Sequence, residues 1–527
     1  VTVGPAMPPG ARELAESVDV VVIGAGHNGL VCAGYLAAAG LQVLVLEARE
    51  AVGGNTRTEA LTVPGFLHDS CSSAHVLIQS NPLLLDDELG LVARHGLRYT
   101  FTDPAVVLPQ ADGDTLTLPR QLDGAVEEIA RRSPQDARAF RDLMSQWSDG
   151  LSEVHSRWNS ALAIGDGSAA RRYLDMRGRS AWEVVHDRFD SPIIRSMMLW
   201  LSMATIQDPR RPGTGVLPAA ITAGRLRFGW ATPLGGSGAL PSALVRHLES
   251  CGGSVVCNAS VARVQVEHGR VTAVVTQGGE RITVRRGVVS SAHLATMATM
   301  FDDSDVPPDL AAASARWRPG LSVLAVHAAV STPLSFPSAR GEVQSAAAGL
   351  GSVAGIVDQL DGCARGEAEV RDPWLLVVNQ ALVDQTRAPA GSATLKLLTV
   401  APYERADGRS WASAKDEYGR ALVEHARRSM TGLGEENILE VRTESPVDVA
   451  AQNPHNLGGS CHGGEFSGPG GSVVAGWESY RTSVDGLLLT GATSHPGGSV
   501  SGRPGRNAAR AALTHWGLDP LAVMGPG

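Results

Sequence analysis

Apolar and polar positions along this chain fall into blocks of different period. Residues 20–23 form an unbroken apolar run between Asp19 and Gly24, the pattern of a parallel strand buried on both faces. A helix is expected to start near Asn28, just past the turn, and residues 42–47 repeat the strand pattern. The same texture returns after Thr232. There a helix is expected over 244–248, then strands at 254–257, 262–266, 272–275 and 288–289, with turns at Gly269 and Gly278-Gly279. It returns a third time as Leu487-Leu488-Leu489 and a helix over 506–513.

Two stretches of different texture lie between these blocks. Residues 80–231 read as mainly helical. Ser133 is an N-cap with Pro134 at the first helical position, and Phe140, Leu143, Met144, Trp147, Leu151, Val154 and Trp158 recur at the spacing of a core stripe. Residues 295–483 mix strands at 321–330, 374–378 and 394–400 with a helix over 411–430. The predicted fold class is therefore α/β, a discontinuous Rossmann-type nucleotide-binding domain with an inserted α+β substrate-binding domain. Its expected segments are a flexible leader 1–18, nucleotide-binding parts 19–79, 232–294 and 484–527, and substrate-domain parts 80–231 and 295–483.

At 527 residues the chain exceeds what one compact core holds, which agrees with two domains. A net charge of −9 without any basic run speaks against nucleic acid as a partner. Only two lysines, Lys396 and Lys415, stand among 45 basic residues, read here as genome composition. The six cysteines show no CxxC spacing, so neither a metal site nor a disulfide framework is expected, and a cytoplasmic location fits. Residues 1–18 lack the basic and apolar regions of a signal peptide. The longest apolar stretch, 192–206, contains Arg195 and is too short to be a transmembrane segment. It reads as a buried helix, with peripheral membrane contact as the alternative.

The first block carries chemistry. Gly24 allows a tight turn, Gly26 lets the backbone approach a pyrophosphate, and Gly29 lets the helix pack on the sheet. His27 and Asn28 lie at the helix start, whose free N–H groups favour phosphate. Glu47, followed by Ala48, ends the second strand where the fingerprint places a ribose-binding acid, and a carboxylate there disfavours NADP. Gly53-Gly54, leading into Asn55, Thr56 and Arg57, resembles the flavin variant of this fingerprint, so FAD is the expected cofactor.

Three motif regions together give a family resemblance. Residues 24–58, residues 235–261 and the terminal run Leu489-Thr-Gly-Ala-Thr-Ser-His-Pro-Gly-Gly-Ser-Val-Ser-Gly502 resemble the phytoene desaturase-related flavoproteins, which include carotenoid desaturases, carotenoid isomerases and retinol saturases. The resemblance implies that Val261 touches the adenine, that Gly491 and Ala492 lie along the pyrophosphate, and that Gly498, Ser499 and Val500 face the flavin. There are two departures. The related amine-oxidase branch has arginine after the glycine pair, where this chain has Asn55, which puts amine oxidation in doubt. In Phe66-Leu-His-Asp-Ser-Cys71, many relatives have Asp-x-Gly, and Cys71 is either a packing residue or a reactive thiol.

Hydride transfer to a flavin leaves a proton to be taken up, and few residues in the motifs suit that task. His495 in the terminal loop is either a proton handler beside the flavin or a structural hydrogen-bonding residue. His462 and Glu465 in Cys461-His-Gly-Gly-Glu-Phe466 are either catalytic or part of a solvated turn. The expected activity is FAD-dependent hydride transfer at a C–C bond of a hydrophobic, conjugated small-molecule substrate. Without a second nucleotide site, oxygen, a quinone or another carrier would be the electron acceptor. Alternatives are a flavin-dependent isomerase or reductive cyclase without net oxidation, and a lipid-binding escort that has lost its flavin.

Overall fold

The first apolar run forms β1 (Ser17–Ile23), near the middle of a seven-stranded sheet. The computed structural model describes residues 15–110, 112–302, 305–368, 371–466 and 479–525. Most of the expected leader, 1–18, lies outside the described residues, and its last two positions already belong to β1. A glycine turn leads to α1 (His27–Ala38) and then to β2 (Val43–Leu46), which pairs in parallel with β1, Val20 opposite Val43. Strand Arg281–Ser290 flanks β1 on its other side, also in parallel. Ser254–Val256 extends the sheet past β2, and Leu487–Leu489 pairs with Arg281–Ser290. Three distant stretches thus build one sheet. Helix α1 covers one face together with helices Ala239–Ser250 and Arg503–His515, sharing a core of Val20, Val22, Leu30, Leu244 and Ala508.

A second seven-stranded sheet is mostly antiparallel. Strands Val323–Val330, Ala393–Val400 and Leu375–Val378 form its centre. Side-chain alternation divides its two faces. Leu376 and Val378 point into a helical layer built by residues 122–228, whereas Leu375 and Val377 point toward helix Trp411–Arg427.

Packing moves several expected edges. Leu83, Leu89, Leu91 and Leu97 join the core around α1, so that layer continues past residue 79. Leu294, Met297, Met300 and Leu310 pack beneath the nucleotide sheet, past residue 294. These stretches are too short to show a period, and the surface available to them decided their side. The stripe after Ser133 is not one helix. Helix Pro134–Gln146 ends in a wide turn, where Gly150 has φ 115°, before helix Ser152–Asn159. The apolar run after Ser191 forms helix Pro192–Met203, with Met197, Met198, Leu199 and Trp200 fully buried.

Candidate active site

The site is built around the turn after β1. Gly24 has φ +92°. A Cβ on Gly29 would stand 2.2 Å from the Gly24 carbonyl oxygen and 2.9 Å from Ser291 Oγ, so only glycine lets α1 come this close to the strand ends. Gly26 differs in kind. It caps α1 with φ −67°, nothing lies within 4 Å of a Cβ there, and it lines a cavity. Gly53 N donates to the Ala25 carbonyl (2.8 Å), joining the glycine pair to the first turn. Gly54 (φ +57°) adopts a left-handed conformation that favours glycine, and a Cβ there would stand 3.2 Å from Gly26 Cα. Thr56 holds the turn closed, its N and Oγ1 donating to Gly53 O at 2.9 and 2.6 Å. Arg57 pairs with Glu59 (2.8 Å) and is not part of the cavity wall. Asn55 donates from Nδ2 to Asn456 Oδ1 (2.8 Å) and to Cys461 O (3.2 Å), tying this turn to the loop 456–462.

Glu47 follows β2 directly and is buried. Its Oε2 accepts from Ala25 N (2.7 Å) and its Oε1 from Arg49 N (3.0 Å). Each carboxylate oxygen keeps acceptor capacity for a ribose hydroxyl. The cavity, about 320 Å³, runs from Glu47, Ala48 and Val261 past Gly26 and Asn28 to Gly491, Ala492, Ser499 and Val500. A Cβ on Gly498 would lie 2.1 Å from the His462 carbonyl oxygen, so that glycine seats the terminal loop against residue 462, and Ser499 follows it at φ +73°.

Nε2 of His27, His293 and His455 is buried along this cavity without a protein hydrogen-bond partner. Burial keeps these rings neutral, with pKa values driven down to about 4, 3 and 4. Unpartnered polar nitrogens, a helix N-terminus and an open Gly26 around one groove suit an anionic dinucleotide.

Beyond the terminal loop the wall turns apolar. Val76, Leu77, Ile221, Leu376, Val378 and Leu398 line this end. Lys396 is fully buried among them, donating from Nζ to Asp69 O (3.0 Å), Ser73 Oγ (3.2 Å) and the Cys71 carbonyl, and so pins segment 69–73 to the second sheet. Desolvation holds its ammonium below the ordinary lysine pKa. Cys71 and Cys461 meet on the same wall, and the hydrogen bond from Cys461 draws the Cys71 thiol pKa down while that of Cys461 rises. Cys461 Sγ lies 3.3 Å from His462 Nδ1. His462 lines both this cavity and an adjoining one of about 100 Å³, and burial lowers its pKa to about 4.

The other two proton-handling candidates do not reach the cavity. His495 Nε2 bonds the Trp158 carbonyl (2.6 Å) and its ring packs edge-on to Trp158 at 4.4 Å. The terminal loop presents backbone at 498–500 to the cavity, while His495 points into the helical layer. Glu465 forms an ion pair with Arg211 (3.1 Å) and does not line either cavity. The residues that the sequence reading passed over are Arg225, Trp230, Lys396, His293 and His455. None belongs to a motif, and helical or strand periodicity treats each as ordinary. Among the described residues, no helix is long and apolar enough to cross a membrane.

The profile of the flavin containing amine oxidoreductases matches residues 29–503. The chain is 27% identical to "Pyridine nucleotide-disulfide oxidoreductase domain-containing protein 2" of Mus musculus, over 94% of this chain and 93% of that protein. It is 28% identical to one of the subunits of limonene dehydrogenase of Castellaniella defragrans, over 96% of both. Phytoene desaturases are also among its relatives, at 24% identity. Among solved structures, a mutant of putrescine oxidase superposes with a TM-score of 0.63 at 18% identity, covering 95% of this chain and 98% of the other, which shows a shared fold.

Proposed function

This chain belongs to the flavin containing amine oxidoreductase family and is an oxidoreductase with FAD as its cofactor, and from that premise we propose that it dehydrogenates a C–C bond of a hydrophobic substrate. The observation that supports this reading is the composition of the wall beyond the nucleotide groove. Val76, Leu77, Ile221, Leu376, Val378 and Leu398 give it an aliphatic surface, and Glu47, at the ribose end, is the one carboxylate among the described residues that line either cavity. An alkylamine is protonated at neutral pH, as lysine is, and meets no acid there to hold it.

Bound FAD supplies the hydride-accepting chemistry. Glu47 would hold its ribose, Gly26 and the N-terminus of α1 its pyrophosphate, and residues 498–500 its ring edge. The chain's own residues orient the substrate, exclude water and take up the proton from the carbon next to the one oxidised. His462 is the group suited to that proton. In the tautomer in which His462 Nδ1–H donates to Cys461 Sγ, 3.3 Å away, Nε2 is the unprotonated nitrogen. Nε2 then keeps its lone pair, and a pKa near 4 leaves it unprotonated at physiological pH.

Anaerobic mixing of the FAD-loaded protein with apolar olefins and with alkylamines tests the reading. Lasting loss of the yellow absorbance with an olefin, and none with an amine, is expected. Bleaching by amines alone would overturn the proposal. Turnover of the olefin with the flavin still oxidised would replace dehydrogenation by isomerisation.

A further inference from the structure

Arg225 stands on helix Leu217–Phe228, one turn after Ile221, and both line the main cavity. It is 6% exposed. Its guanidinium lies over the Trp230 ring at 4.2 Å, but Nε and Nη1 are buried with no hydrogen-bond partner. No acid among the described residues pairs with it, and burial alone moves its pKa, down to about 9. Four other buried cations among the described residues each meet an oxygen. Arg387 meets Asp69 at 2.9 Å, Arg506 meets Glu88 at 2.6 Å, Arg503 meets Ser160 Oγ at 2.5 Å, and Lys396 is surrounded by carbonyl oxygens. Stacking on tryptophan stabilises a cation through the ring face but leaves the in-plane N–H groups unsatisfied.

A desolvated, unpaired guanidinium beside a cavity is a costly arrangement unless a ligand brings the missing anion. Its planar fork matches a carboxylate, which it binds by two parallel N–H···O bonds. The wall around it is aliphatic and aromatic, with Val76, Leu77, Ile221 and Trp230. A ligand that satisfies both features has an apolar body and one acidic end.

We propose that Arg225 is the receptor for a carboxylate on the substrate, so that the molecule oxidised is a hydrophobic carboxylic acid anchored by its acid end at helix Leu217–Phe228. The proposal rests on the dehydrogenation of a hydrophobic molecule argued above and names its polar group. Arg225 thereby sets specificity: it admits apolar acids, holds neutral hydrocarbons and alcohols less firmly, and repels amines.

The test uses the full-length, FAD-loaded protein and three probes of equal chain length: decanoate, 1-decanol and decylamine. Binding is read from the shift of the flavin absorption band and from calorimetry. Decanoate is expected to bind at least about tenfold more tightly than 1-decanol, with decylamine the weakest. Arg225→Met is expected to bring decanoate down to the affinity of 1-decanol at unchanged flavin content, and Arg225→Lys to keep part of the preference. Equal affinity of decanoate and decanol for the wild type, or an undiminished preference in Arg225→Met, would overturn the carboxylate assignment and leave the hydrophobic-substrate reading in place. Binding of none of the three probes would overturn both. Should Arg225→Met not fold, the wild-type comparison together with Arg225→Lys still decides.

Discussion

Gly26 and Gly29 belong to one fingerprint, but replacing each by alanine should fail in different ways. At Gly26 the backbone lies at φ −67°, ψ 161°, a conformation open to any residue, and no protein atom stands within 4 Å of a new Cβ. Alanine is a poorer N-cap than glycine by about 0.5–1 kcal/mol, but it also stiffens the unfolded chain by about 0.4–1 kcal/mol. The cofactor-free Gly26→Ala protein should therefore be as stable as wild type to within about 1 kcal/mol. Its Cβ projects into the groove proposed to hold the pyrophosphate against the backbone. Overpacking of one methyl costs about 1–3 kcal/mol, which weakens FAD binding by about 5- to 150-fold. At Gly29 the new Cβ would stand 2.2 Å from a backbone oxygen and 2.9 Å from Ser291 Oγ, and Gly24 cannot move without opening the turn. Here the cofactor-free protein should itself lose about 1–3 kcal/mol. The assay is denaturant unfolding of both deflavinated variants beside FAD titration by calorimetry. A Gly26→Ala protein that loses stability without FAD, or binds FAD as wild type does, would refute the assignment of that glycine to the cofactor.

Further outcomes follow from the same contacts. Glu47→Ala removes a carboxylate that holds Ala25 N and Arg49 N, each bond contributing about 1.5–3 kcal/mol, so both cofactor-free stability and FAD affinity should fall. Unchanged calorimetric affinity would place the ribose elsewhere. Asp69→Ala strands the fully buried Arg387 and should cost about 3–5 kcal/mol in denaturant unfolding, and pairing it with Arg387→Met should recover much of that loss. His75 and His293 are buried and neutral, with pKa values near 3 against an ordinary 6.5. Because the unfolded chain binds these protons first, stability is complete above about pH 6.5 and falls as pH drops toward 3, each ring costing about 1.4 kcal/mol per pH unit. Denaturation midpoints that do not move between pH 7 and pH 5 would contradict neutral burial. In stopped-flow flavin reduction, His462→Ala should slow the reaction by about 10²-fold or more, while Glu465→Gln, held by Arg211 outside the cavity, should match wild type.

The cofactor half of the site was legible because its geometry is local. Gly24 and Gly29 meet across one turn, and Glu47 reaches Ala25 over a strand–helix–strand unit of regular rise, so residue type and spacing are sufficient. The chain itself thereby determined an α/β fold and the glycines that line its main cavity. Irregular loops behave differently, since no period dictates where their side chains point. His495 was a reasonable proton handler on sequence grounds, yet the carbonyl of Trp158, 337 positions away, turned it into the helical layer. Glu465 was claimed by Arg211 in the same way, and helix-to-sheet packing drew residues 83–97 to the nucleotide layer.

Only the tertiary structure decided which cations are answered. Arg387, Arg506 and Lys396 look no different from Arg225 along the chain, but each meets oxygen from a distant segment and Arg225 meets an aromatic face and a cavity. Short-range stereochemistry is written in neighbouring residues. The pairing of a buried charge depends on which distant groups the fold brings within about 3 Å of it, and that is settled when the two sheets close on each other.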